Sequence, residues 1–421
     1  MPLVESGTTI SVVRTMQEYR DIGEWMGGGD ALHDVQTVTS LPSPVFRENG
    51  KTYVSFSTNN YIGLADSPRL VAKAHEGLDR YGVGNCESRL LGGNLDVYVE
   101  LEAKLAALKK KETALIFATG YLTNLGVLSS LVKPVQSARI YGYRPQRKFG
   151  YAFFSDEFNH MSIREGIRLS EVQKFNYRHR DMAHLESLLQ KSDVEGKIIV
   201  SDGVFSQDGD IAPLPQLLDL ADRYDAMVYI DDAHGTGVLG AHGAGTSEHF
   251  GVTSPRLIQM GTLSKAYGAI GGFIATESYI GDILRLSCSA YSFTSTLPPD
   301  QALACIEAID MVRDEPERRA RMWANQKYFL SLMDRLPYRV LSRTTPIVPV
   351  FIGDERLCDR FAALLKEAGI HVDAVKFPAV GIRKARLRVM LNAGHTREQI
   401  ERLAGVLEEN QSLLNPPSLP V

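Results

Sequence analysis

The sequence predicts an α/β protein with a large domain, in which a mostly parallel sheet lies between helices, and a smaller C-terminal α+β domain. From about residue 61 to residue 300, short apolar runs alternate with longer segments of helical pattern. Strands this short and this apolar are typical of a parallel sheet that helices cover on both faces. After residue 300 the pattern changes to a long helical stretch and a second mixed unit. A chain of 421 residues is long enough for two such cores.

The first sixty residues predict a separate opening segment. Val12–Met26 has the pattern of a helix. VFRENGKTYVSFS then predicts two strands around Asn49–Gly50, because Asn-Gly is favoured in the tight turns of β-hairpins. The predicted organisation is an N-terminal segment at 1–60, a large domain at 61–300 and a small domain at 301–421.

Five apolar runs predict strands of the large domain, with helices between them. The strands are ALIFA (114–118), YAFFS (151–155), KIIVSDG (197–203), AMVYIDD (226–232) and GGFIA (271–275), and two of the helices are Leu95–Lys110 and Pro213–Tyr224. The small domain is predicted to begin with a long helix that is interrupted near Pro316, because proline breaks the hydrogen bonding of a helix. Its elements are the helical stretch Gln301–Met333, the strands TPIVPVFIG and ARLRVML, a helix near Cys358–Ala368 and a closing helix from Thr396.

Composition excludes several classes of protein. The net charge of −4 is small for this length, which argues against a nucleic-acid binder or a polybasic membrane-surface protein. No apolar run approaches the roughly 20 residues that a transmembrane helix needs, and the polar N-terminus does not resemble a signal peptide. The four cysteines are scattered, so we expect reduced thiols, no zinc site and a cytoplasmic protein.

Polar clusters follow the apolar strands, at the edge of the sheet where ligands bind in α/β folds. AMVYI runs into DDAHGTG, which carries Asp231 and His234. GTLSKAYGAIGG places Lys265 among small and hydroxyl residues before another strand. Alone, such an aspartate is more often a cap and such a lysine more often a solvated residue. Together they indicate a buried reactive amine with an acid nearby.

This combination predicts a site for pyridoxal phosphate (PLP). A lysine that forms a Schiff base must be neutral to attack an aldehyde, which a tight and partly desolvated loop favours. The cofactor also needs an acid beside its ring nitrogen, a ring stacked on its face and a phosphate cradle. Asp231 is the candidate acid and His160, in SDEFNHMS, the candidate ring. Gly120, in ATGYLTN, is predicted to open a helix whose free N–H groups suit a phosphate.

Nine ordered motifs resemble those of the α-oxoamine synthases, a family of PLP-dependent enzymes of fold type I. The motifs are TNNYIGL, GVGNCESRLLGGNLDVYVELE, FATGYLTN, DEFNHMS, DGVFSQDGDIAPL, DDAHGTGVLG, GTLSKAYGAIGG, FTSTLPP and ARLRVMLNAGH. The resemblance runs from about Ser55 to His395, which is nearly the whole chain. It implies the fold-type I transferase architecture, with a seven-stranded, mostly parallel sheet in the large domain, and an obligate homodimer with shared active sites.

The resemblance also implies a role for each matching residue. Lys265 carries the cofactor and later moves the α-proton of the substrate, Asp231 pairs with the ring nitrogen, and His234 pairs with the ring oxygen. The other implied cofactor contacts are His160 on the ring, Ser206 beside His234, Gly120, Tyr121 and Thr262 at the phosphate, and Thr294, Ser295 and Thr296 from the partner subunit. Asn59 and Arg388 match residues at the substrate carboxylate. Arg386 is the rival of Arg388, because residues two apart in a strand share a face.

Four features depart from the family pattern. Glu87 stands where glycine is usual, and it is either tolerated in a loop or alters the donor or acyl pocket. Tyr98 replaces a common histidine and either packs or lies near the entrance. Lys376 lies near an arginine position but lacks the bidentate fork for a carboxylate. The long, basic segment 139–151 is either a dimer arm or a contact for the phosphates of CoA or a carrier protein.

The implied reaction is a decarboxylating Claisen-type condensation. A small L-amino acid (alanine, serine or glycine) reacts with an acyl-CoA or an acyl carrier protein to give an α-amino ketone, CO2 and a free thiol. Another fold-type I enzyme, such as an aminotransferase or an aldolase, is the alternative. A catalytically inactive subunit is disfavoured because Lys265 is present. The sequence leaves the amino acid, the acyl group and its carrier open.

Overall fold

The computed structural model describes residues 16–25, 37–41, 44–134, 138–139, 142–145 and 149–414. Residues 16–25 form an exposed helical segment, as predicted for this part of Val12–Met26, and the remainder of that prediction lies outside the described residues. In the basic segment at 139–151, residues 140–141 and 146–148 lie outside the described part, and so does the tail after residue 414.

A seven-stranded sheet forms the centre of the large domain. Its spatial order is β3-β9-β8-β7-β6-β4-β5, and only β9 runs antiparallel to its neighbours. The strands are β3 (Thr113–Phe117), β4 (Tyr151–Asp156), β5 (Gln173–Tyr177), β6 (Gly196–Asp202), β7 (Ala226–Asp231), β8 (Leu257–Thr262) and β9 (Gly272–Thr276). All five strands predicted for this domain are therefore present, and the mostly parallel sheet is confirmed.

Helices pack on both faces of this sheet. They are α1 (Pro68–Tyr81), α2 (Asp96–Lys109), α3 (Gly120–Leu131), α4 (Met161–Ser170), α5 (Met182–Lys191), α6 (Leu214–Arg223), α7 (Thr246–Phe250), α8 (Ser278–Ser287) and α9 (Ser289–Ser292). Side chains of one strand alternate between two cores, since successive residues of a strand point to opposite faces. Ile198 and Val200 of β6 lie in one core with Val127 of α3, and Ile199 lies in the other with Leu214 of α6.

The C-terminal part forms the smaller α+β unit. A four-stranded sheet of order β10-β11-β14-β13 packs against three helices. The long helix α10 (Pro299–Asp314) precedes this unit and shares a core with α1 and α2. The elements of the unit are α11 (Pro316–Met333), β10 (Arg339–Val340), β11 (Ile347–Gly353), α12 (Glu355–Glu367), β12 (Ile370–His371), β13 (Asp373–Val375), β14 (Ala385–Met390), α13 (Arg397–Glu409) and a 3-10 turn (Gln411–Leu414). The predicted interruption near Pro316 is confirmed, because α10 ends at Asp314 and α11 begins at Pro316.

The predicted hairpin joins this smaller unit. Strands β1 (Val45–Glu48) and β2 (Lys51–Ser55) are antiparallel around Asn49 and Gly50, whose φ values of 48° and 75° fit a tight hairpin turn. The β2 strand also pairs in parallel with β12. The division of the chain at residues 60 and 300 stays a prediction.

Two further expectations can be compared with the described residues. No helix among them has both the length and the apolar character that crossing a membrane requires. All four cysteines are free thiols, and of these only Cys86 is exposed.

Candidate active site

A cavity of about 340 Å³ opens where β4, β6, β7 and β8 end. The structure brings eight of the predicted cofactor residues to its wall, although they come from five separate segments of the chain. They are Gly120, Tyr121, His160, Ser206, Asp231, His234, Thr262 and Lys265. Ligands commonly bind at the carboxyl ends of parallel strands, so the position of the cavity is the one that the fold favours.

The Asp231 carboxylate is held by a network of hydrogen bonds. Its Oδ2 atom accepts from Nδ2 of Asn124 at 2.6 Å, and its Oδ1 atom accepts from the backbone N–H of Ala233 at 3.0 Å. The Asn124 amide is fixed in turn, because its Oδ1 atom accepts from the hydroxyl of Tyr229 at 2.7 Å. These contacts fix a buried acid in the wall of the cavity, as the ring nitrogen of PLP requires.

A second carboxylate, Asp202, lies beside Asp231. The two residues are direct neighbours in the register of β6 and β7, and both are buried. Burial, together with repulsion from the charge of Asp231, raises the pKa of Asp202 well above its ordinary value. The raised pKa favours the protonated form of Asp202, so that this carboxyl group adds less negative charge beside Asp231.

Lys265 lies at the junction of this cavity with a second one, since the residue lines both. Burial lowers the pKa of Lys265 to about 8, and the charge of Arg388 contributes in the same direction against the opposing charge of Asp231. An appreciable fraction of the amine is therefore neutral at physiological pH. A neutral amine is the form that attacks an aldehyde.

His160 and Gly120 complete the wall of the first cavity. The Nδ1 atom of His160 lies 2.7 Å from Oγ of Ser162 at the start of α4, which restricts rotation of the ring. Desolvation lowers the pKa of His160, so the ring is neutral at neutral pH. Gly120 begins α3, and a Cβ atom there would lie 3.1 Å from both Cε of Met260 and Oγ1 of Thr262. The missing side chain leaves room for an anion at the N-terminus of the helix.

These observations agree with the shape and charge of PLP. The wall provides an acid, an aromatic ring, a helix N-terminus without a side chain and a partly neutral lysine amine. A cavity of about 340 Å³ also lies within the usual range for small cofactors. The residues present therefore fit the cofactor that the sequence predicts.

The second cavity, of about 440 Å³, lies on the other side of Lys265 and includes Asn59. Arg388 is buried beside it in β14, where its Nη2 atom lies 3.4 Å from Oδ1 of Asn59 and its Nε atom donates to the carbonyl of Ser206 at 2.6 Å. Among the described residues, no carboxylate forms a salt bridge with Arg388. Its guanidinium is thus available to an anionic ligand.

The rival arginine is already paired. Nη1 of Arg386 lies 2.6 Å from Oδ1 of Asp208, and its Nε atom donates to the carbonyl of Lys384. Neither arginine lines a cavity itself, but Arg388 contacts Asn59, which lines the second one, whereas Arg386 is held by Asp208. The geometry favours Arg388 for a substrate carboxylate, although the role of either residue stays a prediction.

The chain matches the description "Aminotransferase class I and II" over residues 51–407. The chain belongs to this family. Membership covers most of both structural units and agrees with the fold-type I architecture seen in the sheet order.

Within this family, the chain is similar to 8-amino-7-oxononanoate synthases and serine palmitoyltransferases, which are α-oxoamine synthases. The chain is 40% identical over 377 residues to 8-amino-7-oxononanoate synthase 1 of Bacillus subtilis (strain 168), covering 89% of this chain and 92% of the relative. Serine palmitoyltransferase of S. paucimobilis, solved with PLP and myriocin bound, is 26% identical with a TM-score of 0.83, over 97% and 99% of the two chains. Serine palmitoyltransferase of Sphingomonas wittichii is 28% identical with a TM-score of 0.83, over 95% and 97%. The family resemblance predicted from the motifs is confirmed.

Three of the predicted site residues lie away from both cavities. Lys376 forms a salt bridge with Asp359 at 2.6 Å on the surface. Glu87 is exposed, and its carboxylate lies where a side chain at Gly92 would stand. Tyr98 is fully buried and donates to the carbonyl of Leu297 at 2.9 Å, so the structure favours the packing interpretation for it.

The hydroxyl residues at 294–296 also lie outside both cavities. They follow Phe293, whose side chain is 79% exposed, in the connection between α9 and α10. Their predicted contact comes from a partner subunit, and a single chain does not test it.

Three residues of the site were not predicted from the sequence. Asn124 lies in α3, the helix that Gly120 begins, and Asp202 is the last residue of β6. Tyr61 lies inside the TNNYIGL motif. The sequence pattern could have predicted Asp202, because the apolar segment KIIVSD ends in an aspartate, as MVYID does at Asp231. No such pattern predicts Asn124 and Tyr61, because their contacts with Asp231 and His234 join residues 107 and 173 positions apart.

Proposed function

We propose that this chain is an α-oxoamine synthase that uses PLP to join a small L-amino acid to an acyl thioester, with loss of CO2. The observation that carries the proposal is the position of Lys265. Lys265 lines both a cavity that fits PLP and a second cavity, and Arg388, beside the second cavity, forms no salt bridge with the described residues and suits a substrate carboxylate. The reacting carbon of an amino acid held at Arg388 would therefore be within the region that Lys265 reaches. Bound in the first cavity, PLP would supply an electron sink for the negative charge that develops at that carbon.

The residues of the chain have distinct tasks in this reaction. Lys265 Nζ, whose pKa of about 8 allows both protonation states, accepts the α-proton of the amino acid. The Asp231 carboxylate, held by Asn124 and Ala233, would pair with the ring nitrogen of PLP and favour its protonated form. Arg388 binds the carboxylate and thereby sets the rotation of the α-carbon, since a fixed ion pair orients the bond that must break.

The name of the relatives suggests the first substrates to test. The compound 8-amino-7-oxononanoate is a nine-carbon acid with a ketone at C7 and an amine at C8. Loss of CO2 from alanine leaves the two carbons C8 and C9 with the amine, and a seven-carbon dicarboxylic acyl thioester supplies the others. We infer that L-alanine and such a thioester are substrates, with CoA or an acyl carrier protein as the thiol, and that the enzyme acts in the cytoplasm.

The test measures binding and turnover separately. The purified holoenzyme is titrated with L-alanine, L-serine and glycine while the absorbance of the cofactor is recorded, and thiol and CO2 release are measured after the acyl thioester is added. We expect a spectral change with alanine and equal amounts of thiol and CO2. Lys265→Ala should release neither, whereas Lys104→Ala, a surface lysine paired with Asp310, should behave as wild type. Amino-group transfer to a 2-oxo acid without thiol release would instead identify an aminotransferase.

We also infer a homodimer with shared sites, because the segment Thr294–Thr296, in which Ser295 is exposed and the two threonines are half-buried, corresponds to the one expected to reach a partner's phosphate site. Two inactive variants, Lys265→Ala and Thr296→Ala, provide the test after they are mixed and allowed to exchange subunits. In a heterodimer one site would contain both intact residues, so activity should recover to about a quarter of wild type. No recovery in a mixture that has been shown to exchange would contradict shared sites.

A further inference from the structure

His234 has one hydrogen-bond partner among the described residues. Its Nδ1 atom lies 2.7 Å from the hydroxyl oxygen of Tyr61, and the edge of one ring faces the other at an interplanar angle of 79°. Both side chains are buried, with 1% of Tyr61 and 8% of His234 exposed. The remaining ring nitrogen of His234, Nε2, is left for the cavity that the residue lines.

Burial decides the protonation state of both partners. It lowers the pKa of His234 well below its ordinary value, and the nearby charges of Lys265 and Arg388 act in the same direction. Burial also raises the pKa of Tyr61, against the weaker effect of Arg388. At neutral pH the pair therefore consists of a neutral imidazole, with one ring proton, and a protonated phenol.

The direction of the hydrogen bond follows from the number of donors. If His234 carried its proton on Nδ1, it would donate to Tyr61, and the hydroxyl hydrogen of Tyr61 would need another acceptor. Among the described residues, Tyr61 has no such acceptor for its hydroxyl group. A buried donor without an acceptor is costly. The favoured arrangement has Tyr61 donating to Nδ1, so that the proton of His234 lies on Nε2.

The backbone around Tyr61 holds this donor in place. The carbonyl of Tyr61 accepts from the N–H of Ala393 at 2.8 Å, in the segment that follows β14. The neighbouring Asn60 side chain accepts from the N–H of Leu64 at 3.0 Å and closes the turn. Tyr61 therefore joins the loop that bears His234 to the strand that bears Arg388.

We propose that Tyr61 is a positioning residue that fixes the tautomer of His234, so that Nε2 donates a hydrogen bond to the ring oxygen of PLP. This inference rests on the proposed function for its ligand, but the tautomer itself belongs to the protein. A neutral donor stabilises negative charge on that oxygen without delivering a proton to it. Tyr61 acts only through His234, because it is absent from the lining of the cofactor cavity.

The tautomer can be measured directly in the full-length protein by 15N NMR after labelling with [15N]histidine, with His234→Gln used to assign the signals. We expect an Nδ1 resonance typical of an acceptor and an Nε2 resonance typical of a protonated nitrogen, both with and without PLP. In Tyr61→Phe the Nδ1 atom loses its donor, and the resonances should shift toward a mixture or toward the other tautomer. A proton on Nδ1 in the wild type, or identical shifts in Tyr61→Phe, would overturn the proposal.

Cofactor binding provides a second readout. Loss of a fixed donor to the charged ring oxygen should weaken PLP binding about tenfold in Tyr61→Phe and move the pH of its spectral transition. Tyr338→Phe is the matched control, because its buried hydroxyl also makes one hydrogen bond, to the carbonyl of Leu407, in the smaller unit. Equal PLP affinity for Tyr61→Phe and Tyr338→Phe would contradict the role of Tyr61. Failure of the wild type to bind PLP would instead contradict the proposed function and leave the NMR result intact.

Discussion

Nζ of Lys109 lies 2.8 Å from Oδ2 of Asp232, and both side chains are almost fully buried, at 0% and 1% exposure. The ammonium also donates to the hydroxyl of Thr236 at 2.8 Å and to the carbonyl of Ala244 at 2.7 Å, so its three hydrogens all have acceptors. Asp232 directly follows Asp231. The last residue of α2 thus fixes both ends of the loop that carries Asp231 and His234.

Removal of this cation should destabilise the fold. We expect Lys109→Met to lower the free energy of unfolding by about 3–5 kcal/mol, because it leaves the carboxylate of Asp232 buried and unpaired. Urea denaturation of the cofactor-free protein measures the loss. Lys104→Met, in the same helix, removes a lysine whose pair with Asp310 is partly exposed, and should cost about 1 kcal/mol or less. An equal decrease in the free energy of unfolding of the two variants would show that the buried Lys109–Asp232 pair stabilises the fold no more than the partly exposed pair does.

A second prediction concerns pH and stability. His179 lies between Oδ1 of Asp156 at 3.1 Å and Oδ2 of Asp210 at 3.0 Å. Burial alone lowers the pKa of His179, but the hydrogen bonds to these two carboxylates outweigh it and raise the pKa to about 9. The folded state therefore holds this proton more tightly than the unfolded state, in which a histidine titrates near about 6.5.

The consequence is a loss of stability at alkaline pH. The contribution of the His179 proton is complete below about pH 6.5 and is lost as the pH rises through about 9, a change of about 3 kcal/mol. Urea midpoints between these pH values should fall in the wild type and fall much less in His179→Asn. His75→Asn changes an exposed histidine and should retain the wild-type slope. An unchanged slope in His179→Asn would exclude His179 as the source.

The third prediction concerns how the cofactor-free protein captures PLP. Because Lys265 has a pKa of about 8 and reacts as the neutral amine, the rate constant for PLP binding should rise with pH and reach half its maximum near pH 8. Arg388→Met removes a charge that lowers this pKa, so the midpoint should move upward. Arg386→Met is the control, since that arginine is paired with Asp208. Stopped-flow absorbance gives the rates, and a profile that is flat from pH 7 to 9 would contradict the assignment.

The fourth prediction separates the two arginines of β14 by substrate affinity. Arg388→Met should weaken binding of L-alanine to the holoenzyme about 100-fold, because two charge-assisted hydrogen bonds to the carboxylate are lost. The affinity of Arg388→Lys for L-alanine should lie between those of the wild type and Arg388→Met, since lysine keeps the positive charge but lacks the two-pronged hydrogen bonding of a guanidinium. Arg386→Met should change the affinity less than about threefold, although it breaks the ion pair with Asp208. Spectral titration measures all three, and a larger effect at Arg386 would reverse the assignment.

Hydrophobic periodicity, together with turn-forming and helix-breaking residues, was sufficient to predict the main elements of the fold. The five predicted strands, the hairpin at Asn49–Gly50 and the helix break at Pro316 all occur, because local backbone preferences decide them. Strand β5, QKFNY, is less apolar than the predicted strands, being an edge strand of the sheet. The pairing of β2 with β12 depends on contacts between residues more than 300 positions apart, which no local pattern contains.

The sequence by itself determined the family and predicted Lys265 and Asp231 as the reactive lysine and the acid, because strand-end motifs such as VYIDDAH and TLSKAYG are contiguous and chemically distinctive. Only the tertiary structure decided which arginine is free, since Arg386 and Arg388 share a strand face and differ in their neighbours from other loops. It also decided that Tyr98 packs, that Lys376 pairs with Asp359, and that Tyr61 contacts His234. Charge compensation and burial are properties of the assembled fold, and for these side chains they outweigh residue type.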